Sequence, residues 1–393
     1  MDPSLLPTAF AALTLALWLG AAWEVMRGNR RLKRLATLQT PEPARSTGAG
    51  QATWPRVSLV FTARNEGRTV GAAVPTMLQL DYPDLELIAV NDRSEDDTGA
   101  ELDRIAATDP RLKVIHVKEL TPGWLGKTHG LQLGGESATG EWILFTDADI
   151  HFRPDVLRRA VAYARAHHLD HLAALPELTG HGPWLGICVG AFSLNFALFV
   201  LPWRVADPRS ASHGGVGAFN LVRTSTYRKL DGHEPLRYRP DDDLKLGKLM
   251  KAGGFSEMVL GAGAISVAWY ASVGELVRGL TKNAFAGTDY RIWLVLGGVA
   301  AHLLFFVWPV AALVLTAGLA WKLYLAAVVL MLGVAADNQR FDGGRWWYGL
   351  FFPAGTLVLD YILLRSMVVT LWRRGIIWRG THYPLNELRA NRL

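Results

Sequence analysis

Trp142-Ile143-Leu144-Phe145-Thr146-Asp147-Ala148-Asp149 is the stretch on which the fold turns. Four apolar residues run straight into two carboxylates at spacing two, the pattern of a strand that ends in a site. In extended chain, residues i and i+2 face the same way. Asp147 and Asp149 can therefore present both carboxylates to one divalent cation, or to a cation and a ribose. Hard oxygen anions of this kind suit Mg²⁺ or Mn²⁺. Spacing by itself is weak, because two such acids can be solvated or can cap the following helix; their place after an apolar run carries the argument.

Working outward, short apolar runs at 57–61, 85–90 and 114–117 precede this strand, with amphipathic stretches such as 69–80 between them. Strands alternating with helices at this spacing predict an α/β fold, a mostly parallel sheet with helices on both faces. Ligands of such sheets gather at the carboxyl ends of the strands. Polar residues stand at those ends: Thr62 to Glu66 after the first run, Asn91 to Thr98 after the second, Asp147 and Asp149 after the fourth.

The 393 residues, half of them hydrophobic, accommodate one sizeable domain and a few transmembrane helices at the N- and C-terminal ends. Residues 5–25 are long enough to cross a bilayer, the four residues before them lack a basic signal-peptide region, and Arg27, Arg30, Arg31, Lys33 and Arg34 follow at once. This predicts an uncleaved anchor, N-terminus outside, with everything from Arg27 onward in the cytoplasm and the basic cluster at the anionic leaflet of the plasma membrane. The basic residues behind the net charge of +6 include that cluster, and with no nucleic-acid motif present no nucleic-acid partner is expected. The single cysteine, Cys188, excludes an internal disulfide and reads as an inert buried thiol.

The expected organisation is an anchor and basic segment at 1–38, a Pro/Gly/Ser/Thr-rich linker at 39–55, a cytosolic domain at 56–290, membrane helices at 291–372 and an interfacial tail at 373–393. Pro154 is expected to open a helix. Residues 183–203 are apolar but are followed by Arg204, Arg209 and His213, which favours an interfacial or buried helix over a span. Residues 292–336 and 346–372 count as three further spans. That count leaves Arg373, Arg374 and Arg379 outside, against the charge rule. Either one segment is re-entrant or the tail lies on the far side.

Three further features carry chemistry. Asp92, in Asn91-Asp92-Arg93-Ser94-Glu95-Asp96-Asp97-Thr98, can accept a hydrogen bond from a base or ribose, or belong to a turn and helix cap. In Asp241-Asp242-Asp243 three adjacent carboxylates repel one another, which raises at least one pKa and gives a base able to deprotonate an alcohol; the bland alternative is a helix N-terminus. Lys127, in Gly123-Trp124-Leu125-Gly126-Lys127, can offset diphosphate charge or simply be solvated. His167, His168 and His171 have partial helical metal spacing without supporting context, and Asp360 and Arg365 are charges inside an apolar segment.

Together, Thr62-Ala63-Arg64-Asn65-Glu66, Asp92 with Ser94, Asp96 and Thr98, the 123–127 segment, Thr146-Asp147-Ala148-Asp149, Gly217-Ala218-Phe219 and Asp231-Gly232-His233 resemble, in order, the motifs of family-two glycosyltransferases with the GT-A (Rossmann-like) fold. The similarity is greatest to membrane-bound lipid glycosyltransferases, the hopanoid-associated, carotenoid-acid and ceramide glucosyltransferase-like enzymes. It implies an inverting, metal-dependent hexosyltransferase that moves one sugar from a UDP-sugar to a membrane lipid acceptor. Ala63, Glu66 and Asp92 would hold the uridine end, Asp147 would meet the ribose or metal region, Asp149 would ligate Mg²⁺ or Mn²⁺, and Lys127 would lie near the donor. Aligning the family's acidic pair with Asp242 and Asp243, before Leu244-Lys245-Leu246-Gly247, makes Asp243 the catalytic base. Gly217, Phe219, Arg278, Lys282 and Trp378 would face the acceptor. Processive relatives carry Gln-x-x-Arg-Trp where this chain has Arg278-Gly279-Leu280-Thr281-Lys282-Asn283, which argues against a polysaccharide synthase. A noncatalytic nucleotide-sugar-binding subunit is the remaining alternative. The segment 378–383 resembles the family's Trp-basic-Gly-Arg-x-Tyr ending, with Thr381 in place of arginine.

Overall fold

The computed structural model describes residues 5–39, 54–180 and 182–393; most of the expected linker, at 40–53, and the four residues before the anchor lie outside the described residues. The chain divides into two compact units. One comprises Leu32–Glu177, Pro202–Val267 and Arg379–Leu393, the other Met1–Arg31, Leu178–Leu201 and Ala268–Trp378. The run expected as one domain at 56–290 is thus shared: 178–201 and 268–290 group with the apolar helices, while 379–393 groups with the sheet. The reason is composition, since 183–200 is an apolar helix and 273–281 an amphipathic one.

The first unit is built on a seven-stranded sheet. Its first four strands are β1 (Val57–Ala63), β2 (Leu85–Asp92), β3 (Leu112–Val117) and β4 (Trp142–Asp147), in the order β3-β2-β1-β4, all parallel. Beyond β4 come Asn220–Arg223, His171–Leu175 and Ser256–Leu260; Asn220–Arg223 runs antiparallel to both its neighbours, and the last two are parallel. Val60, Ile88, Val90, Ile143 and Phe145 form a buried layer under the helices, each side chain contributing roughly 1.5–3 kcal/mol by its burial. The helix expected around 69–80 is Gly67–Leu78, and the one expected to begin at Pro154 is Val156–Ala166.

Register places the site. Thr62 pairs with Asp147 and Ala63 with Asn91, so β1, β2 and β4 end at one level. Helix Gly126–Ser137 reaches that level because its glycines let it press onto the sheet. A Cβ at Gly130 or Gly134 would lie 2.5 Å from Thr62 Cγ2 or 2.3 Å from Val60 Cγ1. Residues four apart share a helix face, and Gly126 continues the row: its Cβ would fall 2.2 Å from Asp92 Oδ2. The start of the helix is thereby seated against Asp92.

The second unit consists largely of apolar helices. Leu5–Asn29, Pro183–Arg204, Ile292–Leu315, Gly318–Phe341 and Trp346–Trp372 are each long and apolar enough to cross a membrane by length and composition. Polar side chains join them: Asn29 donates to Asn338 at 2.8 Å, Asn338 donates to Ser193 at 3.3 Å, and Arg30 pairs with Asp337 at 3.0 Å. At the centre of Leu5–Asn29, Trp18 packs on Phe306 and Phe352 and donates its indole N–H to the Phe305 carbonyl at 3.0 Å.

Candidate active site

Five expected residues come together at the strand ends of the first unit. Lys127 Nζ, at the start of its helix, lies 3.0 Å from Asp147 Oδ1 and 3.4 Å from Asp242 Oδ2. Asp243, one residue on, accepts the backbone N–H of Gly217 at 2.9 Å and of Leu244 at 2.8 Å. Gly217 lets the loop press close to the site, since a Cβ there would stand 2.4 Å from Asp147 Oδ2 and push that carboxylate aside. The loop that carries it is tied down where Thr146 Oγ1 donates to the Ala218 carbonyl at 2.8 Å.

Electrostatics mark the same place. Burial pushes the Asp242 carboxyl up to about 7, Lys127 opposing the rise and Asp243 and Asp147 adding to it. Asp243 is raised as well, by burial and by Asp147, against Lys127 and the two N–H donors. Burial, with Asp147 and Glu66 nearby, pushes Asp149 up to about 6. The same burial works against the Lys127 ammonium, but Asp147, Asp242 and Asp243 together hold its pKa above the ordinary value. Groups so displaced mark functional sites more often than surfaces.

A pH prediction follows from Asp242. Its carboxyl titrates near 7 when folded and near ~3.9 in unfolded chain, so the unfolded state releases that proton first. The stabilising contribution is complete below the unfolded pKa and is lost as pH rises through 7. Asp242→Asn should therefore flatten the fall of the thermal midpoint between pH 5 and pH 8. Parallel midpoint curves for the variant and the unaltered protein would contradict the placement of this carboxyl.

Asp241, the third acid of the run, belongs to the scaffold. Arg239, 1% exposed, donates to its two oxygens from Nε at 2.8 Å and Nη2 at 2.7 Å.

A second group of expected residues lies at the ends of β1 and β2. Asp92 is buried and gripped by Arg93, Nε to Oδ1 at 2.7 Å and Nη2 to Oδ2 at 3.0 Å, with Arg64 Nη1 at 3.9 Å. Arg93 itself sits at φ 52°, a region unfavourable to any side chain but held here by that pairing. Ala63 is 1% exposed and offers only its backbone. The tail closes over this corner: Arg379 donates to the Arg64 carbonyl and the Glu66 carboxylate, and Tyr383 Oη accepts the Gly126 N–H at 3.3 Å.

Phe219, expected at the acceptor, is fully buried, edge-on to Phe152 in the core; only the backbone two residues earlier reaches the site. Arg278, Lys282 and Trp378 belong to the apolar-helix unit, where the Lys282 ammonium lies 4.6 Å from the Trp378 ring. His171 is buried between Ser256 and Asn220, its pKa lowered to about 4 by that burial, and has no ligand role. Sequence reasoning missed Arg93 and the glycine row at 126, 130 and 134, whose spacing of four was the available signal.

The donor set fits a hard divalent cation in part. Among the described residues no three His, Cys, Asp or Glu side chains are grouped to hold an ion. Burial, with Asp147 adding to it, raises the Asp149 pKa, and two such carboxylates have the chemistry of a Mg²⁺-type site in which one or two carboxylates share the ion with substrate phosphates.

A mostly parallel sheet with carboxylates and a lysine gathered at its strand ends has the architecture of the GT-A fold. Residues 58–183 match the family model Glycosyl transferase family 2, and the chain carries a domain of that family. It is 33% identical over 159 residues to a beta-monoglucosyldiacylglycerol synthase of Synechocystis sp., covering 38% of this chain and only about a third, 33%, of the synthase. It is 22% identical over 277 residues to a 4,4'-diaponeurosporenoate glycosyltransferase of Staphylococcus haemolyticus, covering 68% of this chain and 70% of that protein. In fold it resembles a mannosyltransferase of Pyrobaculum calidifontis solved in complex with GDP-Man and Mn²⁺, with a TM-score of 0.58 and 20% identity over 93% of this chain and 99% of that one.

Proposed function

We propose that this chain transfers a single sugar from a UDP-sugar to a membrane lipid, with inversion at the anomeric carbon. The observation that carries the reading is the Asp243 carboxylate, fixed by two backbone N–H groups beside the Asp147–Lys127–Asp242 cluster, in a chain that also holds long apolar helices. The names of the two relatives, a glucosyldiacylglycerol synthase and a diaponeurosporenoate glycosyltransferase, support a lipid acceptor.

Asp243 takes the proton of the acceptor hydroxyl as its oxygen bonds to the anomeric carbon. The bond from that carbon to the diphosphate breaks on the opposite face, and the pair of electrons leaves with the diphosphate. Lys127 and the N-terminus of helix Gly126–Ser137 supply positive charge to receive it. A Mg²⁺ or Mn²⁺ ion held by Asp149, with Asp147 beside it, would neutralise departing diphosphate charge. Asp92, Glu66 and the Ala63 backbone, with Arg93 and Arg379 over them, form the nucleotide end.

Incubating the purified chain in nanodiscs with UDP-sugars, GDP-mannose and bacterial lipids, followed by mass spectrometry, tests the reading. One added hexose per lipid is expected from a UDP-sugar. Polymeric product, or no glycosylated lipid from any donor, would overturn it.

Chain continuity supports an orientation. The sheet-bearing unit contains residues before and after Pro183–Val200, and before and after 268–378. A single folded unit occupies one side of a bilayer, so Pro183–Val200, one unbroken helix, has both ends on the same side and lies along the interface. The stretch 268–378 then crosses an even number of times. Two of its three apolar segments cross and the third lies along the interface, which puts Arg373, Arg374 and Arg379 with the catalytic domain in the cytoplasm, as the charge rule requires. In a Cys188→Ala background, Ala317→Cys should react with an impermeant maleimide from outside and Leu393→Cys only after permeabilisation; the same accessibility at both positions would refute this topology.

A further inference from the structure

The apolar-helix unit buries a polar group that the transfer chemistry does not use. His302 Nδ1 lies 2.6 Å from Asp360 Oδ1. Asp360 is 4% exposed, and its other oxygen, Oδ2, is buried without a hydrogen-bond partner. Thr356, one helical turn earlier on the same face of Phe352–Trp372, is 0% exposed, and its Oγ1 is likewise buried and unpartnered. Buried polar atoms are nearly always satisfied, so two orphans on one face beside the His302–Asp360 hydrogen bond call for a ligand. A group with both a hydrogen to give and lone pairs to accept satisfies Asp360 Oδ2 and the Thr356 hydroxyl together. A hydroxyl has both.

Access and depth narrow the source. His302 is the partly open member of the group, with 27% of its side chain exposed, on the helix of this unit that is least covered by protein. Immediately after it the α-helix gives way to a π-helical turn, Leu303–Val307, whose Leu303 and Leu304 face outward. Such turns are frequent at functional sites. What reaches His302 along that apolar surface is lipid. Depth agrees with a lipid alcohol. Asn29, Asn338 and Ser193 meet where two helices end, and Gly355 packs against Ile187 and Ala191 of the helix that carries Ser193. The Phe352–Trp372 helix therefore begins near this polar level, where lipid hydroxyls reside.

We propose that His302, Thr356 and Asp360 form a binding site for the free hydroxyl of a membrane lipid. The site captures lipid whether or not sugar is transferred, so it is read by labelling and not by turnover.

The test uses the full chain in phosphatidylcholine nanodiscs with two photoactivatable probes, a diazirine diacylglycerol and a diazirine cholesterol, each with its hydroxyl free or methylated. At least one free-hydroxyl probe should label the peptides containing 302–307 or 352–360 fivefold or more above its methyl ether. That preference should vanish in Thr356→Val, which keeps shape and removes only the hydroxyl, and in Asp360→Asn. Equal labelling by both members of each pair in the unaltered protein overturns the proposal, even if the variants do not fold. So does a preference that survives Thr356→Val and Asp360→Asn.

Discussion

Asp243→Asn lowers sugar transfer by about a thousandfold or more while leaving donor binding intact. The substitution is nearly isosteric, and an amide oxygen can still accept the Gly217 N–H that Asp243 accepts at 2.9 Å. What it removes is the capacity to take a proton. Asp242→Asn provides the contrast. Its carboxylate is committed to Lys127 at 3.4 Å, so its loss disturbs the charge balance around the diphosphate without removing the base. The measurement is initial rate at saturating donor together with UDP affinity by calorimetry. An Asp243→Asn enzyme within tenfold of the unaltered rate would move the base elsewhere, and an Asp242→Asn enzyme that alone lost all turnover would move it to Asp242.

The sheet was legible because its strands are apolar runs that end abruptly in polar residues. Register then does what spacing cannot: Thr62 opposite Asp147 and Ala63 opposite Asn91 turn three separate loops into one rim. The site was legible as a set of acids but not as a division of labour. Three consecutive aspartates look equivalent in sequence, and only burial and partners separate them, Asp241 to Arg239, Asp242 to Lys127 and Asp243 to backbone N–H groups. Phe219 misled because a motif names residues without their direction; the backbone at Gly217 reaches the site and the ring two residues later packs in the core. Arg93 was invisible because its φ of 52° and its hold on Asp92 depend on the turn the chain makes there. Domain boundaries were the least legible feature. The apolar helices interrupt the sheet unit twice, and contiguous reading assigns such insertions to the domain they interrupt.

Arg239→Met should destabilise the sheet unit by about 3–5 kcal/mol, the cost of leaving a buried carboxylate without its guanidinium. Arg239 is nearly solvent-free, and its paired bonds to Asp241 hold the residue at which helix Asp242–Gly253 begins. Lys245, 3.9 Å from Asp241, is too distant to replace a bidentate partner. The loss corresponds to a fall of roughly 6–20 °C in thermal midpoint for a unit of this size, measurable by intrinsic fluorescence in detergent. The double variant Arg239→Met, Asp241→Leu should recover most of that fall, because it removes the stranded charge together with its partner. Recovery of stability need not bring recovery of rate. The Arg239–Asp241 pair fixes where the helix starts, and the next two residues carry the carboxylates that meet Lys127 and the Gly217 N–H, so an apolar pair can hold the fold while loosening the site. A single Arg239→Met variant with an unchanged midpoint would show that Asp241 is not anchored by this arginine, and would return it to the candidates for the base.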